Sequence, residues 1–168
     1  RNVFSLPQTV GVGLGWNYAN RLRLGLDYTL QQWGRATSPA LETLADGSQV
    51  FRKADNLLTD RHRVSFGAEY TPDPDALSWA PRVRYRLGLS YASPYVKVDN
   101  HDGPSSYVAT LGVGLPIIPS RNNRSMLNVS ARYELLQPAV TGALKEQFFG
   151  LSVGLSFGEK WFDKWKVE

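Results

Sequence analysis

Residues 149–157 read F-G-L-S-V-G-L-S-F, with an apolar side chain at every odd position and glycine or serine at every even position. Successive side chains of a β-strand leave on opposite faces, so this stretch predicts a strand with one apolar face and one face of almost no side-chain bulk. A soluble sandwich buries such an apolar face, whereas an outer-membrane barrel turns it toward lipid and keeps small or polar residues inside. The rest of the chain has to distinguish the two.

The same period of two recurs along the chain, and no stretch shows sustained helical periodicity. Turn-forming residues separate the runs, and the prolines of T-P-D-P-D-A-L-S-W-A-P at 71–81 cannot continue a strand ladder. The pattern predicts an all-β, antiparallel fold of about seven strands in a single unit. The predicted strands are residues 9–16, 21–31, 61–70, 82–91, 107–117, 126–135 and 149–157.

Composition excludes several classes of protein. The 168 residues contain no run of about 18 apolar residues, which excludes a transmembrane helix but not a barrel, whose strands need one apolar face only. There is no cysteine, and the two histidines, His62 and His101, lack metal-ligand spacing, so we expect no metal, no cofactor and no enzymatic activity. The net charge of +4 is not gathered into a basic block, which argues against nucleic acid as a partner.

The distribution of arginine predicts which face meets lipid. Arginines lie on the non-apolar face of the runs, and each would cost about 2–4 kcal/mol at the bilayer midplane, so this face is predicted to line a wet lumen. The predicted lumen-lining residues are Arg23, Asp27, Glu69, Arg82, Arg84, Arg86, Arg132 and Glu134. The predicted lipid-facing residues are Leu24, Phe66, Tyr85, Leu87, Leu111, Val129, Leu151, Val153 and Leu155.

The connections between runs predict two different ends of the barrel. Those after the first, third and fifth runs are shorter than the others, as expected of periplasmic turns and external loops. We call the two ends the short-turn end and the long-loop end, and expect residues 158–168 to form a periplasmic tail. Because bacterial barrels have an even number of strands, seven runs predict the C-terminal part of a larger barrel, or an unrecognised strand in 1–7 or near 48–51.

Arg82, Arg84 and Arg86 alternate within one run, with Arg23 expected near the same end. One interpretation is a positive lumen that attracts the carboxylate of an amphipathic ligand or a small anion. The other is bracing of the wall by pairs of arginine and acidic residues, with Glu69 expected close to Arg82 across their hairpin. The sequence leaves both open.

Several segments together resemble a known family. They are P-R-V-R-Y-R-L-G-L-S-Y, T-L-G-V-G-L-P-I, R-S-M-L-N-V-S-A-R-Y-E and L-K-E-Q-F-F-G-L-S-V-G-L-S-F-G-E-K-W-F-D-K-W-K. Their order and spacing resemble the C-terminal half of FadL-type outer-membrane transport proteins. That resemblance implies the outer membrane of a Gram-negative bacterium and a plugged barrel of about fourteen strands, within the usual range for such barrels. It also implies passage of hydrophobic compounds such as long-chain fatty acids.

Three functions are therefore considered from the sequence. The first is uptake of hydrophobic or amphipathic small molecules, with membrane lipid, the ligand and the N-terminal part of the barrel as partners. The second is a structural or docking subunit of a larger complex with other outer-membrane proteins, using residues 34–60 and the aromatic and basic tail at 161–166 as binding surfaces. The third is a soluble ligand-binding β-barrel.

Overall fold

The fold is described by a computed structural model that covers residues 5–44, 47–54, 57–98, 101–117, 125–140 and 144–157. These residues form eleven β-strands and two short 3-10 turns, Trp33–Arg35 and Ala80–Arg82. The strands are β1 (Gln8–Tyr18), β2 (Leu22–Gln32), β3 (Ser38–Thr43), β4 (Gln49–Ala54), β5 (Arg61–Tyr70), β6 (Arg84–Ala92), β7 (Lys97–Val98), β8 (His101–Asp102), β9 (Ser105–Pro116), β10 (Met126–Gln137) and β11 (Glu146–Ser156).

Seven of the strands form one antiparallel sheet in the order β1-β2-β5-β6-β9-β10-β11. Each strand pairs with its neighbour in the chain once the two small hairpins, β3–β4 and β7–β8, are set aside. The all-β, antiparallel prediction is confirmed. The sheet is open, because β1 and β11 each have a neighbour on one side only, so the predicted closed barrel is not seen in the described residues.

The turn between β1 and β2 is the tightest connection of the sheet. Ala19 and Asn20 have positive φ angles of 49° and 55°, and the amide of Arg21 donates to the carbonyl of Tyr18 at 2.9 Å. Two consecutive left-handed residues match the right-handed twist of the flanking strands, which is the geometry that short hairpins favour. Asparagine tolerates this region well, whereas alanine does so at a cost.

The predicted strand at 82–91 begins too early. Pro81 lies in the 3-10 turn Ala80–Arg82, the amide of Arg82 donates to the carbonyl of Trp79 at 3.0 Å, and β6 begins at Arg84. Arg82 therefore precedes the strand and is not a member of its ladder. β5 has the predicted bounds, and β10 begins at the predicted residue. The remaining ends of the other strands are extended by one to three residues, except that β2 begins at Leu22, β9 ends at Pro116 and β11 ends at Ser156.

The connections are more structured than expected. The predicted polar loop at 34–60 contains the β3–β4 hairpin, and the loop after β6 contains β7–β8, but neither hairpin adds an eighth strand to the sheet. The residues at 48–51 that were considered for a missed strand fall partly in β4, outside the large sheet. The contrast in loop length is clear for 19–21 against 33–60, but it fails for the next pair, because the connection at 71–83 is slightly longer than that at 93–104.

The apolar face of the sheet is exposed along all seven strands. In β6 the exposed residues Tyr85, Leu87 and Leu89 alternate with the half-buried Arg84 and Arg86. Among the described residues, the buried hydrophobic side chains are confined to positions near strand ends, at Val83, Ala92 and Met126. No second layer covers the apolar face in the part of the chain that the structure describes. The residues predicted to face lipid are accordingly exposed, apart from the half-buried Leu24.

Candidate functional site

A continuous row of polar contacts crosses the other face of the sheet, and we call it the polar ladder. Arg23 of β2 contacts Glu69 of β5 at 3.5 Å (Nη1 to Oε1), and Arg86 of β6 donates from Nε to Glu69 Oε2 at 2.8 Å. Arg86 Nη1 also donates to Asn128 Oδ1 of β10 at 2.8 Å, and Asn128 Nδ2 donates to Ser156 Oγ of β11 at 3.1 Å. The polar ladder therefore connects β2 with β11 through side chains.

Glycines on β9 give Arg86 the room to reach β10. Strands two apart in a sheet are separated by about 9.5 Å, so a side chain between them must pass over the middle strand. Gly112 pairs with Arg86 on one side, and Gly114 pairs with Asn128 on the other. A Cβ at Gly114 would lie 3.2 Å from Asn128 Oδ1, the atom to which Arg86 donates. Glycine at 114 thus keeps open the space in which these two side chains meet.

The predicted row of three arginines divides into two groups. Arg86 belongs to the polar ladder, and it is the residue that the strand register places opposite Glu69 and that contacts it directly. Arg82 and Arg84, together with Arg23, line a cavity of about 380 Å³ at the short-turn end, which Glu69 also lines. Among the described residues, no side chain pairs with Arg84.

The long-loop end of the polar face has its own pairs. Arg132 Nη2 contacts Glu134 Oε2 at 2.7 Å, and Ser106 Oγ donates to Glu134 Oε1 at 2.9 Å. Arg63 Nε donates to Ser90 Oγ at 3.3 Å. Both predicted lumenal glutamates, Glu69 and Glu134, therefore contact arginines of the same face. Asp27 differs, because it is exposed beside Gly13 of β1 and no arginine contacts it within the described chain.

The long loops are joined at their roots. The amide of Thr59 donates to the carbonyl of Tyr95 at 2.9 Å, and that of Lys97 donates to the carbonyl of Leu57 at 2.8 Å. The ring of Tyr95 lies 5.1 Å from that of Trp33, and the Arg61 guanidinium lies over it at 5.3 Å. We use the name loop platform for the described parts of these two loops, at 33–60 and 93–104. It holds the β3–β4 and β7–β8 hairpins at the same end of the sheet.

The apolar face carries a shallow depression near the long-loop end that the sequence did not predict. It has a volume of about 490 Å³ and surrounds the small residue Ala109 of β9. Phe66, Tyr91, Tyr107 and Tyr133 form its sides, and the rings of Tyr91 and Tyr107 are 5.1 Å apart. The alanine was no clear signal in the sequence, because Ala68 and Ala131 also lie on the apolar face.

The described residues contain no cluster of three or more His, Asp or Glu side chains that could hold a metal ion. His62 Nδ1 is hydrogen-bonded to the Tyr28 hydroxyl at 2.8 Å on the apolar side of the sheet. No helix in the described ranges is long and apolar enough to cross a membrane. What the site offers is a row of hydrogen bonds and an arginine-lined cavity.

Comparison with protein families gives one match. A family model described as BamG matches residues 1–168, the whole length of the chain. The chain belongs to the BamG family. The resemblance to FadL-type transport proteins was therefore wrong, because the family that matches is a different one. No curated protein and no solved structure matches the chain.

The physical reason for the wrong family is that strand alternation is common to many barrels. A wall that meets apolar surroundings on one side and small or polar ones on the other requires apolar residues alternating with glycine and serine. The quoted segments of this BamG-family chain have the same alternation, so the pattern alone does not identify the family. The polar ladder depends on particular side chains and not on the alternation alone. Two of its members, Asn128 and Ser156, were not predicted from the sequence.

Proposed function

We propose that this BamG-family chain forms part of the wall of a β-barrel in the outer membrane of a Gram-negative bacterium, and serves there as a structural or docking subunit of a multiprotein complex. The family name suggests a component of an outer-membrane complex. The observation that carries the membrane part is the exposed apolar face, which spans the whole sheet while the arginines lie on the other face.

The exposure of the apolar side chains and the lengths of the strands support the assignment of the apolar face to lipid. Exposed side chains include Leu111 at 63%, Leu151 at 71% and Val153 at 69%, each near the middle of its strand. Soluble monomers rarely expose contiguous apolar patches larger than about 300–600 Å². The seven strands have 9 to 12 residues each, which suits the roughly 9–11 residues that a tilted strand needs to cross a bilayer.

The polar face favours a subunit over a conduit for hydrophobic compounds. A site for an acyl chain requires a continuous apolar lining. The polar ladder instead lies on this face, with arginine, glutamate and asparagine side chains. From β2 to β10 it crosses five of the seven strands of the sheet. The cavity at the short-turn end is lined by Arg23, Arg82 and Arg84, which also do not suit an acyl tail.

The loop platform supports a docking role. Its two loops are joined by backbone hydrogen bonds and by the Trp33–Tyr95 ring contact, so a partner would meet a pre-ordered surface. At its base, the amide of Gly34 donates to Asp60 Oδ1 at 2.9 Å, which ties the two ends of the loop together. The second predicted binding surface, residues 161–166, lies outside the described residues, as does the predicted periplasmic tail at 158–168.

Co-purification in mild detergent from native membranes tests the proposal. The tagged full-length protein should require detergent for extraction and should carry other outer-membrane proteins in stoichiometric amount, measured by quantitative mass spectrometry. Replacing residues 38–54 by a linker of about four glycine and serine residues should release these proteins without changing extraction. Asp27→Asn, on the polar face, is the matched control. Extraction without detergent, or isolation of the wild-type protein alone after mild cross-linking, would overturn the proposal.

A further inference from the structure

The cavity at the short-turn end of the polar face is formed by backbone that is held in place. Its wall comes from the β1–β2 turn, from the connection at 71–83 and from the ends of β9 and β10. The amide of Thr71 donates to the carbonyl of Arg21 at 2.7 Å, and the amide of Asp73 donates to the carbonyl of Pro81 at 2.8 Å. The cavity is therefore pre-formed, and its volume of about 380 Å³ is near the lower limit of the roughly 300–1,000 Å³ of small-molecule sites.

Positive charge prevails in this cavity. Glu69 and Asp75 contribute carboxylates to its lining, but Glu69 already accepts from Arg86 Nε at 2.8 Å, and Asp75 is exposed, so water screens its charge. With Arg86 included, four guanidinium groups stand against two carboxylates, which leaves an excess of two positive charges. The three arginines of the lining come from β2, from the second 3-10 turn and from β6, and they are Arg23, Arg82 and Arg84.

Two of the lining residues have hydrogen-bond donors without a partner in the described chain. Arg84 is half-buried, and no described side chain pairs with its guanidinium, which presents five N–H donors. Thr71 is 5% exposed, and its hydroxyl has no hydrogen-bond partner among the described residues. Shielded polar groups cost free energy unless water or a ligand satisfies them. The two residues together indicate a ligand that accepts hydrogen bonds and carries negative charge.

We propose that the cavity binds the phosphate group of a small anion, either inorganic phosphate or a phosphate monoester. A phosphate monoester has a charge of about −1.5 to −2 at neutral pH and three strong acceptor oxygens. That charge matches the excess of two positive charges, and three oxygens can accept from an arginine fork and from the Thr71 hydroxyl at the same time. A carboxylate also fits an arginine fork, but it has one charge and two oxygens.

Arg84 is the principal anchor of the phosphate group in this proposal. Arg23 assists it, because its single contact with Glu69, at 3.5 Å, leaves most of its N–H donors available. The cavity lies on the face opposite to the apolar one, so a free anion in water reaches it more directly than the headgroup of a membrane lipid does. The site goes beyond the docking role, since no partner protein is needed to complete it.

Equilibrium dialysis of the full-length protein in mild detergent, with radiolabelled inorganic phosphate at low salt, tests the site. One phosphate should bind per chain, and added salt should weaken binding. Arg84→Gln, which breaks no described ion pair, should lower the affinity by about tenfold or more, because a charged hydrogen bond is lost. Thr71→Val, of nearly the same shape, should lower it by about two- to tenfold. Arg63→Gln, on the same face at the long-loop end, is the matched control and should leave affinity unchanged within about twofold.

Competition between anions identifies the source of the phosphate group. Equal competition by glycerol 3-phosphate and inorganic phosphate supports a free anion, whereas tighter binding of a short-chain phosphatidic acid, weakened by Arg84→Gln, supports a lipid headgroup on the same site. Absence of saturable phosphate binding below about 10 mM would overturn the proposal, as would succinate binding about tenfold tighter than phosphate. An equal loss of affinity in Arg63→Gln and Arg84→Gln would also overturn it, because the attraction would then belong to the whole polar face.

Discussion

Replacing Glu69 by glutamine removes the shared carboxylate of the polar ladder and is expected to lower the free energy of unfolding by about 1.5 kcal/mol. Glu69 Oε2 accepts from Arg86 at 2.8 Å, and charged hydrogen bonds contribute about 1.5–3 kcal/mol when shielded. The Arg86 side chain is 37% exposed, which reduces that value by solvent screening. The contact with Arg23 is longer, at 3.5 Å, and Arg23 is 56% exposed, so it adds less than about 1 kcal/mol.

The assay is guanidinium unfolding of the full-length protein in lipid vesicles, followed by tryptophan fluorescence. A double-mutant cycle with Arg86→Gln isolates the pair, and we expect a coupling energy of about 1 kcal/mol. Asp27→Asn is the matched control, a carboxylate on the same face that no described arginine contacts, with an expected change within about 0.5 kcal/mol. If Glu69→Gln changes stability no more than Asp27→Asn, or if the coupling energy is zero, the bracing role of Glu69 is wrong.

Three further predictions concern space, lipid and turn geometry. Gly114→Ala should destabilise the protein by about 1–3 kcal/mol, because its Cβ would crowd Asn128 Oδ1 at 3.2 Å, whereas Gly154→Ala, with open space around it, should be neutral or slightly stabilising in the same unfolding assay. Leu87→Arg should lower stability in vesicles by about 2–4 kcal/mol, and an unchanged value would mean that the exposed apolar face does not meet lipid. Ala19→Gly should stabilise the β1–β2 turn by about 0.5–1 kcal/mol, since Ala19 has a φ of 49°; a loss of stability would contradict this.

Strand periodicity made the seven-stranded sheet predictable, because a period of two is set locally by side chains that alternate between faces. The exposure of Leu87 and the shielding of Arg86 follow from the same alternation. The contacts of the site were not predictable in this way. The direct partner of Glu69 depends on the register between β5 and β6, which places Arg86 opposite it, and alternation within each strand does not determine that register.

Contacts between strands that are not neighbours were even harder to predict from the sequence. Arg86 meets Asn128 across an intervening strand, and this contact depends on the order of strands, on register across two seams and on glycine at 114. The β3–β4 hairpin was predicted only in part, as a possible strand near 48–51, because a polar stretch without clear alternation gives little signal for strands that pair outside the main sheet. Family membership was missed for the opposite reason, since the barrel pattern was strong but shared by many families.

The alternation of glycine with apolar residues gives the sheet two properties at once. On the apolar side it leaves a continuous hydrophobic surface, and on the polar side it leaves grooves over the strands wide enough for one arginine side chain. Arg86 uses such a groove over β9, and the consequence is that hydrogen bonds connect strands that share no backbone pairing. Side-chain bonds that skip a strand resist shear between neighbouring strands, which backbone ladders alone permit at weakly specified, glycine-rich positions. The polar ladder therefore adds contacts that fix the register of a sheet whose glycine-rich strands specify it weakly by themselves.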